Sequence, residues 1–144
     1  MAHTISYLDQ KTGVLVELSG RVDDRELVQS LHDRFDFIER VPGVRYLISD
    51  WTRVSEAAIT SAGVKATSEL FSNKSRNFAK ICSAGIQPAD FIWGMARMSQ
   101  AYADDDVTGW NTKIFRNRRD GELWLEETLG VKLQFCPDEP GKLL

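Results

Sequence analysis

The chain has 144 residues, of which 42% are hydrophobic and 27% are charged, a balance typical of one soluble globular domain. Its net charge of −3 gives no general attraction to nucleic acid or to anionic lipid. No apolar run is long enough to cross a bilayer, and the N-terminus lacks the basic start and apolar stretch of a signal peptide. We therefore expect a cytoplasmic protein, and peripheral attachment to a membrane is left open.

The first half of the chain begins with a hairpin signal. Two strand-like runs, TISYLD and VLVELSG, flank the polar turn QKTG. Next, Asp23 is placed to cap a helix, with Glu26 three residues later in the position of a capping box. Apolar residues then recur at helical spacing until Pro42 and Gly43 end the run.

The second half of the chain continues with strands and helices in alternation. The run VRYLISD predicts a buried strand, after which Trp51 begins a loop and Ser55 caps a second helix. A strand in NFAKICSAG, a third helix that begins near Pro88 and a strand in WNTKIFRN follow. A last helix ends at Gly130.

The predicted order of elements is β-β-α-β-α-β-α-β-α, with four helices. This alternation indicates an α/β fold in a single domain, with a mixed β-sheet that is largely parallel after the opening hairpin. We assign the domain to residues 1–130. Residues 131–144 are expected to form an irregular C-terminal tail, because they hold two of the four prolines and show no clear periodicity.

Catalytic and metal-binding residues are not apparent in the sequence. Cys82 and Cys136 lack CxxC spacing and a nearby histidine, which argues against a zinc or thiol-redox site. His32 has no partner that the sequence positions for acid–base work. The acidic run at 104–106 lacks the ligand spacing of a calcium loop. No catalytic residue, cofactor, metal or nucleic-acid partner is therefore predicted.

Three phrases resemble the SpoIIAA-like branch of the STAS superfamily, the sulfate transporter and anti-sigma factor antagonist domains. They are GVLVELSGRVDDRELVQSL at 13–31, VRYLISDWTRV at 44–54 and WNTKIFRNRRDGELWLEETL at 110–129. Together they repeat the pattern of strand, Ser-Gly-Arg, capped helix, a strand ending in Asp, and a closing strand and helix. The resemblance implies a STAS-like fold, which is similar to that of the lipid-carrying CRAL-TRIO modules.

The resemblance also singles out Ser61. In the anti-sigma factor antagonists, a serine within Asp-Ser-Ser-Gly at a helix N-terminus is phosphorylated by a partner kinase, and the phosphate blocks docking. The nearest match here is Thr60-Ser61-Ala62-Gly63, in which Thr60 replaces the acidic residue. If Ser55 caps the helix, Ser61 lies more than one turn inside it and the small residues serve close packing. If Thr60 is the cap, Ser61 is the first helical residue and a possible phosphorylation site.

A second candidate surface lies on the third predicted helix. Phe91 and Met95 belong to its apolar stripe, whereas Trp93 projects to the other side. Trp51 and this helix both follow the carboxyl ends of predicted strands, where open α/β sheets usually bind ligands. We therefore expect Trp51, Phe91, Trp93 and Met95 to form a ligand-binding surface. Alternatively, Trp93 is covered by the tail, by a neighbouring loop or by the second copy in a homodimer.

The sequence thus predicts a non-enzymatic binding module. Our main hypothesis is that the third helix engages an apolar small molecule, a lipid or a membrane surface, as members of the SpoIIAA-like branch are suspected of doing. The alternative hypothesis is a regulatory protein–protein interaction domain of the partner-switching kind, centred on Ser61. A regulatory protein partner is expected in that case.

Overall fold

The structure is a computed structural model that describes residues 3–78, 80–88 and 110–138. Five strands and three helices follow one another in these residues. They are β1 (His3–Leu8), β2 (Gly13–Asp23), α1 (Asp24–Arg40), β3 (Tyr46–Ala58), α2 (Ser61–Ser75), β4 (Cys82–Ile86), β5 (Asn111–Phe115) and α3 (Arg118–Leu129).

The predicted order with four helices does not match the order of the described elements, which is β-β-α-β-α-β-β-α. The difference arises between β4 and β5. The helix that the sequence predicts there falls almost wholly within 89–109, outside the described residues. Among the helices that are described, none has the length and apolar character needed to cross a bilayer.

The five strands form one mixed sheet in the order β1-β2-β3-β4-β5. The opening hairpin pairs β1 and β2 in antiparallel fashion, and the three later pairs are parallel. This confirms the α/β fold with a mixed sheet. Neighbouring residues of one strand point to opposite faces, so Val14 and Leu47 join a cluster with α1, while Leu15 and Ile48 join a second cluster with Leu125 of α3.

β2 and β3 extend beyond the other strands. β1 pairs with β2 only as far as Leu18, and β4 pairs with β3 only as far as Asp50. Beyond these points, residues 19–23 of β2 and 53–58 of β3 pair with each other, and we call this pair the parallel ribbon. Two register shifts interrupt β2 here, one of them beside Gly20 in its left-handed conformation (φ 67°). Because α1 and α2 begin directly after the ribbon, both helices start at its tip.

At the other end of β2, the β1–β2 turn has a strained backbone. Asp9, Gln10 and Lys11 all have left-handed angles, with φ of 50°, 58° and 67°. Residues other than glycine seldom adopt this conformation, and surrounding contacts must hold it in place. The carboxylate of Asp138 provides two of them, since it accepts hydrogen bonds from the amides of Gln10 and Lys11 at 2.9 and 3.1 Å.

The segment 131–138, which the sequence analysis assigns to the tail, lies against this turn. The carboxylate of Asp9 accepts hydrogen bonds from the amides of Phe135 and Cys136 at 3.0 and 3.3 Å. It also accepts one from the Tyr46 hydroxyl at 2.6 Å. The C-terminal segment and the turn are therefore held by each other's carboxylates. We call this group the turn clasp: Asp9, Tyr46 and Asp138.

Candidate functional site

The second helix begins at Ser61, and the prediction that Ser55 caps it is wrong. Ser55 lies within β3, because residues 53–58 continue to pair with β2 along the parallel ribbon. The N-cap is Thr60, with extended backbone angles (φ −86°, ψ 162°). Its hydroxyl oxygen accepts a hydrogen bond from the amide of Gly63 at 3.0 Å.

This start places Ser61 at the first helical position, where it is exposed to solvent together with Ala62. The first amides of a helix have no acceptor within the helix, and the aligned peptide dipoles add a partial positive charge there. α2 has no acidic residue in its own first turn to balance this charge. The start of α2 therefore favours a negative group supplied from elsewhere.

The neighbouring helix supplies that group through Asp24, which the sequence analysis did not single out. Asp24 is the first residue of α1, and its carboxylate accepts two hydrogen bonds from Thr60. The Thr60 amide donates at 2.9 Å and the Thr60 hydroxyl at 2.7 Å. A continuous set of hydrogen bonds thus connects the starts of α1 and α2. We call these residues the helix-start site: Asp24, Thr60, Ser61 and Gly63.

Gly63 makes this close approach possible. A Cβ atom at this position would overlap the carboxylate of Asp24. Gly63 therefore allows close packing, as one of the two hypotheses from the sequence predicted. The group that packs against it is the Asp24 carboxylate of α1. The close packing of Gly63 and the exposure of Ser61 thus occur within the same four residues, 60–63.

Exposed charges on the parallel ribbon flank the helix-start site. The guanidinium of Arg21 contacts the carboxylates of Glu56 at 2.7 Å and Asp23 at 3.5 Å. Exposed ion pairs of this kind add little to stability. Together they place both positive and negative charges at the tip of the ribbon. Asp23 also has a structural role, because its carboxylate caps α1 by accepting a hydrogen bond from the Glu26 amide at 2.9 Å.

Most of the predicted ligand-binding surface lies outside the described residues. Trp51 lies inside β3 with 7% of its surface exposed, and its indole N–H donates to the Ser49 hydroxyl at 3.2 Å. The prediction that Trp51 begins a loop is wrong, since β3 continues to Ala58. The other three members lie outside the described residues, and their role stays a prediction: Phe91, Trp93 and Met95.

The other polar groups of the described residues offer no candidate metal site. No group of three or more His, Cys, Asp or Glu side chains in these ranges could hold a metal ion. The His3 ring contacts the Asp33 carboxylate at 2.7 Å, and this pair joins β1 to α1. Burial raises the pKa of the Cys82 thiol, which disfavours the reactive thiolate.

No protein-family model and no curated protein sequence matches the chain. Its structure is similar to that of the anti-sigma factor antagonist SpoIIAA in its unphosphorylated form, with a TM-score of 0.54 and 12% identity over 90% of this chain and 100% of that chain. An uncharacterized DUF3478-family protein with a SpoIIAA-like fold, from Shewanella loihica PV-4, gives a TM-score of 0.48 and 15% identity over 86% and 92% of the respective chains. The similarity to SpoIIAA shows that the chain has a SpoIIAA-like fold.

Proposed function

We propose that this chain is a non-enzymatic regulatory module that binds a protein partner, and that a partner kinase phosphorylates Ser61 to control this binding. The observation that carries the proposal is the position of Ser61, exposed at the first position of α2, directly after the capping Thr60 and two residues before Gly63. The resemblance to the anti-sigma factor antagonists implies this placement for their phosphorylated serine. The fold shared with SpoIIAA, an anti-sigma factor antagonist, supports the same function.

The chemistry of the modification is simple at this residue. The Ser61 hydroxyl oxygen forms an ester bond to the γ-phosphorus of a nucleoside triphosphate held by the kinase. The bond from that phosphorus to the nucleoside diphosphate breaks, and the hydroxyl proton passes to a base of the kinase. The product carries a charge of about −1.5 to −2 at pH 7 in place of a neutral hydroxyl.

The outer face of α2 is the surface on which a partner would sense this change. Gly63, Val64 and Thr67 turn inward, whereas Lys65 and Glu69 share the exposed side with Ser61. Further along this side is a shallow polar groove of about 430 Å³. The groove is lined by Lys65, Glu69, Ser72, Asn73 and Arg76. A partner bound along α2 would therefore meet the phosphate directly, and its charge and bulk would weaken the contact.

The test is to capture partners with the tagged full-length chain and to analyse Ser61 in protein purified from its native cells by mass spectrometry. We expect phosphate on Ser61 in part of the material. The amount of partner captured by the Ser61→Asp variant should be lower than that captured by the wild type by a factor of about ten or more. The reason is that like charges placed across an interface cost several kcal/mol. Ser61→Ala should retain it as the wild type does.

Ser55→Asp is the matched control, because Ser55 is also an exposed serine but lies on the parallel ribbon. It should leave partner capture unchanged. Absence of phosphate on Ser61 together with equal capture by Ser61→Asp and the wild type would contradict the proposal. An apolar or lipid-like ligand at the third helix and a homodimer stay predictions from the sequence, because the described residues add no observation in their favour.

A further inference from the structure

The carboxylate of Asp24 is shared between two helix starts. It belongs to the first turn of α1, and it accepts both the amide and the hydroxyl of Thr60 at the start of α2. Asp24 is only partly buried, and Thr60 is exposed. The carboxylate is therefore held by two hydrogen bonds and by its contact with Gly63, without being enclosed by the protein.

A phosphate on Ser61 would occupy the same helix start. Ser61 directly follows Thr60, and a phosphate there is attracted to the free amides of the first turn, next to the Thr60 amide that the Asp24 carboxylate binds. Two negative groups at one helix start repel each other, and the phosphate carries the larger charge. The carboxylate, which is reached by solvent, is the group that can leave.

We infer that Asp24 transmits the modification of Ser61 from α2 to α1, because the phosphate displaces its carboxylate from Thr60 and opens the contact between the two helix starts. This inference rests on the proposed function, in which Ser61 is modified. α1 itself stays intact, since its own cap is the Asp23 carboxylate bonded to the Glu26 amide. The change is therefore confined to the contact between α1 and α2.

The experiment uses the full-length chain with phosphoserine placed at position 61 by genetic encoding, compared with the unmodified chain. Amide hydrogen exchange at Thr60 reports the bond to Asp24. In the wild type, phosphoserine should accelerate exchange of this amide at least about tenfold, since a hydrogen bond to a charged group is lost. It should also lower the melting temperature by about 2–4 °C.

The same pair of measurements is made in two variants of α1. In Asp24→Asn the repulsion is absent, so phosphoserine should change Thr60 exchange less than about twofold and leave the melting temperature within about 1 °C. Asp36→Asn is the matched control, because it makes the same substitution at an exposed position twelve residues further along α1. It should respond to phosphoserine as the wild type does.

If phosphoserine at position 61 changed Thr60 exchange and the melting temperature equally in the wild type and in Asp24→Asn, the inference would be overturned. Unchanged Thr60 exchange in the modified wild type would also overturn it, and that measurement needs no Asp24 variant to fold. Because the phosphoserine is encoded, neither result depends on a kinase. Lack of phosphate on Ser61 in cells, together with equal partner capture by Ser61→Asp and the wild type, would therefore contradict only the proposed function. Equal responses to phosphoserine would contradict only the role of Asp24.

Discussion

The helix-start site and the turn clasp use the same kind of bond at opposite ends of β2. In each, an aspartate carboxylate accepts hydrogen bonds from the backbone of a segment distant in sequence. Asp24 and Thr60 are 36 residues apart, and Asp9 and Phe135 are 126 residues apart. The two regions differ in what surrounds these bonds.

One hydrogen bond of the turn clasp, from Tyr46 to Asp9, is covered by apolar groups. Tyr46 is fully buried, and its ring packs edge-on against Phe135 with 5.6 Å between the ring centroids. Burial, together with the hydrogen bond to Asp9, raises the pKa of Tyr46, so its hydroxyl stays a proton donor. At the helix-start site, in contrast, Thr60 and Ser61 are exposed. The two regions therefore differ in that one donor of the turn clasp is fully buried, whereas both donors that bind Asp24 belong to the exposed Thr60.

The largest effect that would test this comparison is expected at Asp9. Asp9→Ala removes the acceptor of three hydrogen bonds and places alanine at a positive φ, so we expect a loss of about 2–4 kcal/mol in the free energy of unfolding. Urea denaturation followed by circular dichroism measures it. Asp9→Asn keeps one carbonyl acceptor and tolerates the left-handed backbone, and should lose about half as much. A loss below about 1 kcal/mol for Asp9→Ala would show that the hydrogen bonds of the clasp contribute little.

A smaller effect is expected at Gly63. Gly63→Ala adds a Cβ that overlaps the Asp24 carboxylate, so it should lower stability by about 1–2 kcal/mol even though alanine favours helix by about 1 kcal/mol. In an Asp24→Ala background the same substitution should become neutral or stabilising. A double-mutant cycle measured by thermal unfolding gives the coupling. If Gly63→Ala is equally harmful in both backgrounds, the two residues are not in contact.

The smallest effect is expected at Asp33, whose carboxylate binds side chains instead of backbone amides. Burial raises the pKa of Asp33, but hydrogen bonds from His3 and Gln29 outweigh this and hold the pKa below its usual value. Because this pKa is lower in the folded chain, the unfolded chain binds more protons than the folded chain as the pH falls toward it. The stabilisation is therefore present above about pH 4 and is lost below it. The side chain is 35% exposed, so solvent screening keeps the contribution under about 1 kcal/mol.

Asp33→Asn should accordingly lower the melting temperature slightly at pH 7. The difference from the wild type should shrink as the pH is lowered through 4 to 3, since the wild-type carboxylate is then protonated as well. Thermal unfolding at a series of pH values measures it. A difference that stays constant with pH would mean that the carboxylate charge is not what stabilises this contact.

Much of the fold could be predicted from the sequence because local signals and tertiary contacts agree there. Asp23 caps α1 as its spacing with Glu26 predicts, and Gly130 ends α3 in the left-handed conformation typical of a helix end. The boundary of α2 could not be predicted in the same way. Ser55 and Thr60 are both good caps, and the choice between them is made by the pairing of residues 53–58 with β2.

The candidate site could be predicted only in part. Ser61 was identifiable from the resemblance of residues 60–63 to the phosphorylated stretch of the anti-sigma factor antagonists, but its position at the helix start follows from the length of β3. Asp24 was not identifiable, because an aspartate in the first turn of a helix normally interacts with its own helix. Here its partner is Thr60, and only the three-dimensional arrangement of the ribbon tip brings the two together.

The span of the turn clasp has a consequence for biosynthesis. The left-handed residues 9–11 are made early, but the Asp138 carboxylate that holds two of their amides is 127 residues away from Lys11. Closing so long a loop is slow relative to local folding. On the ribosome, the turn therefore stays unsecured by Asp138 until residue 138 emerges, and the clasp closes only after the strands and helices between its two parts have been made.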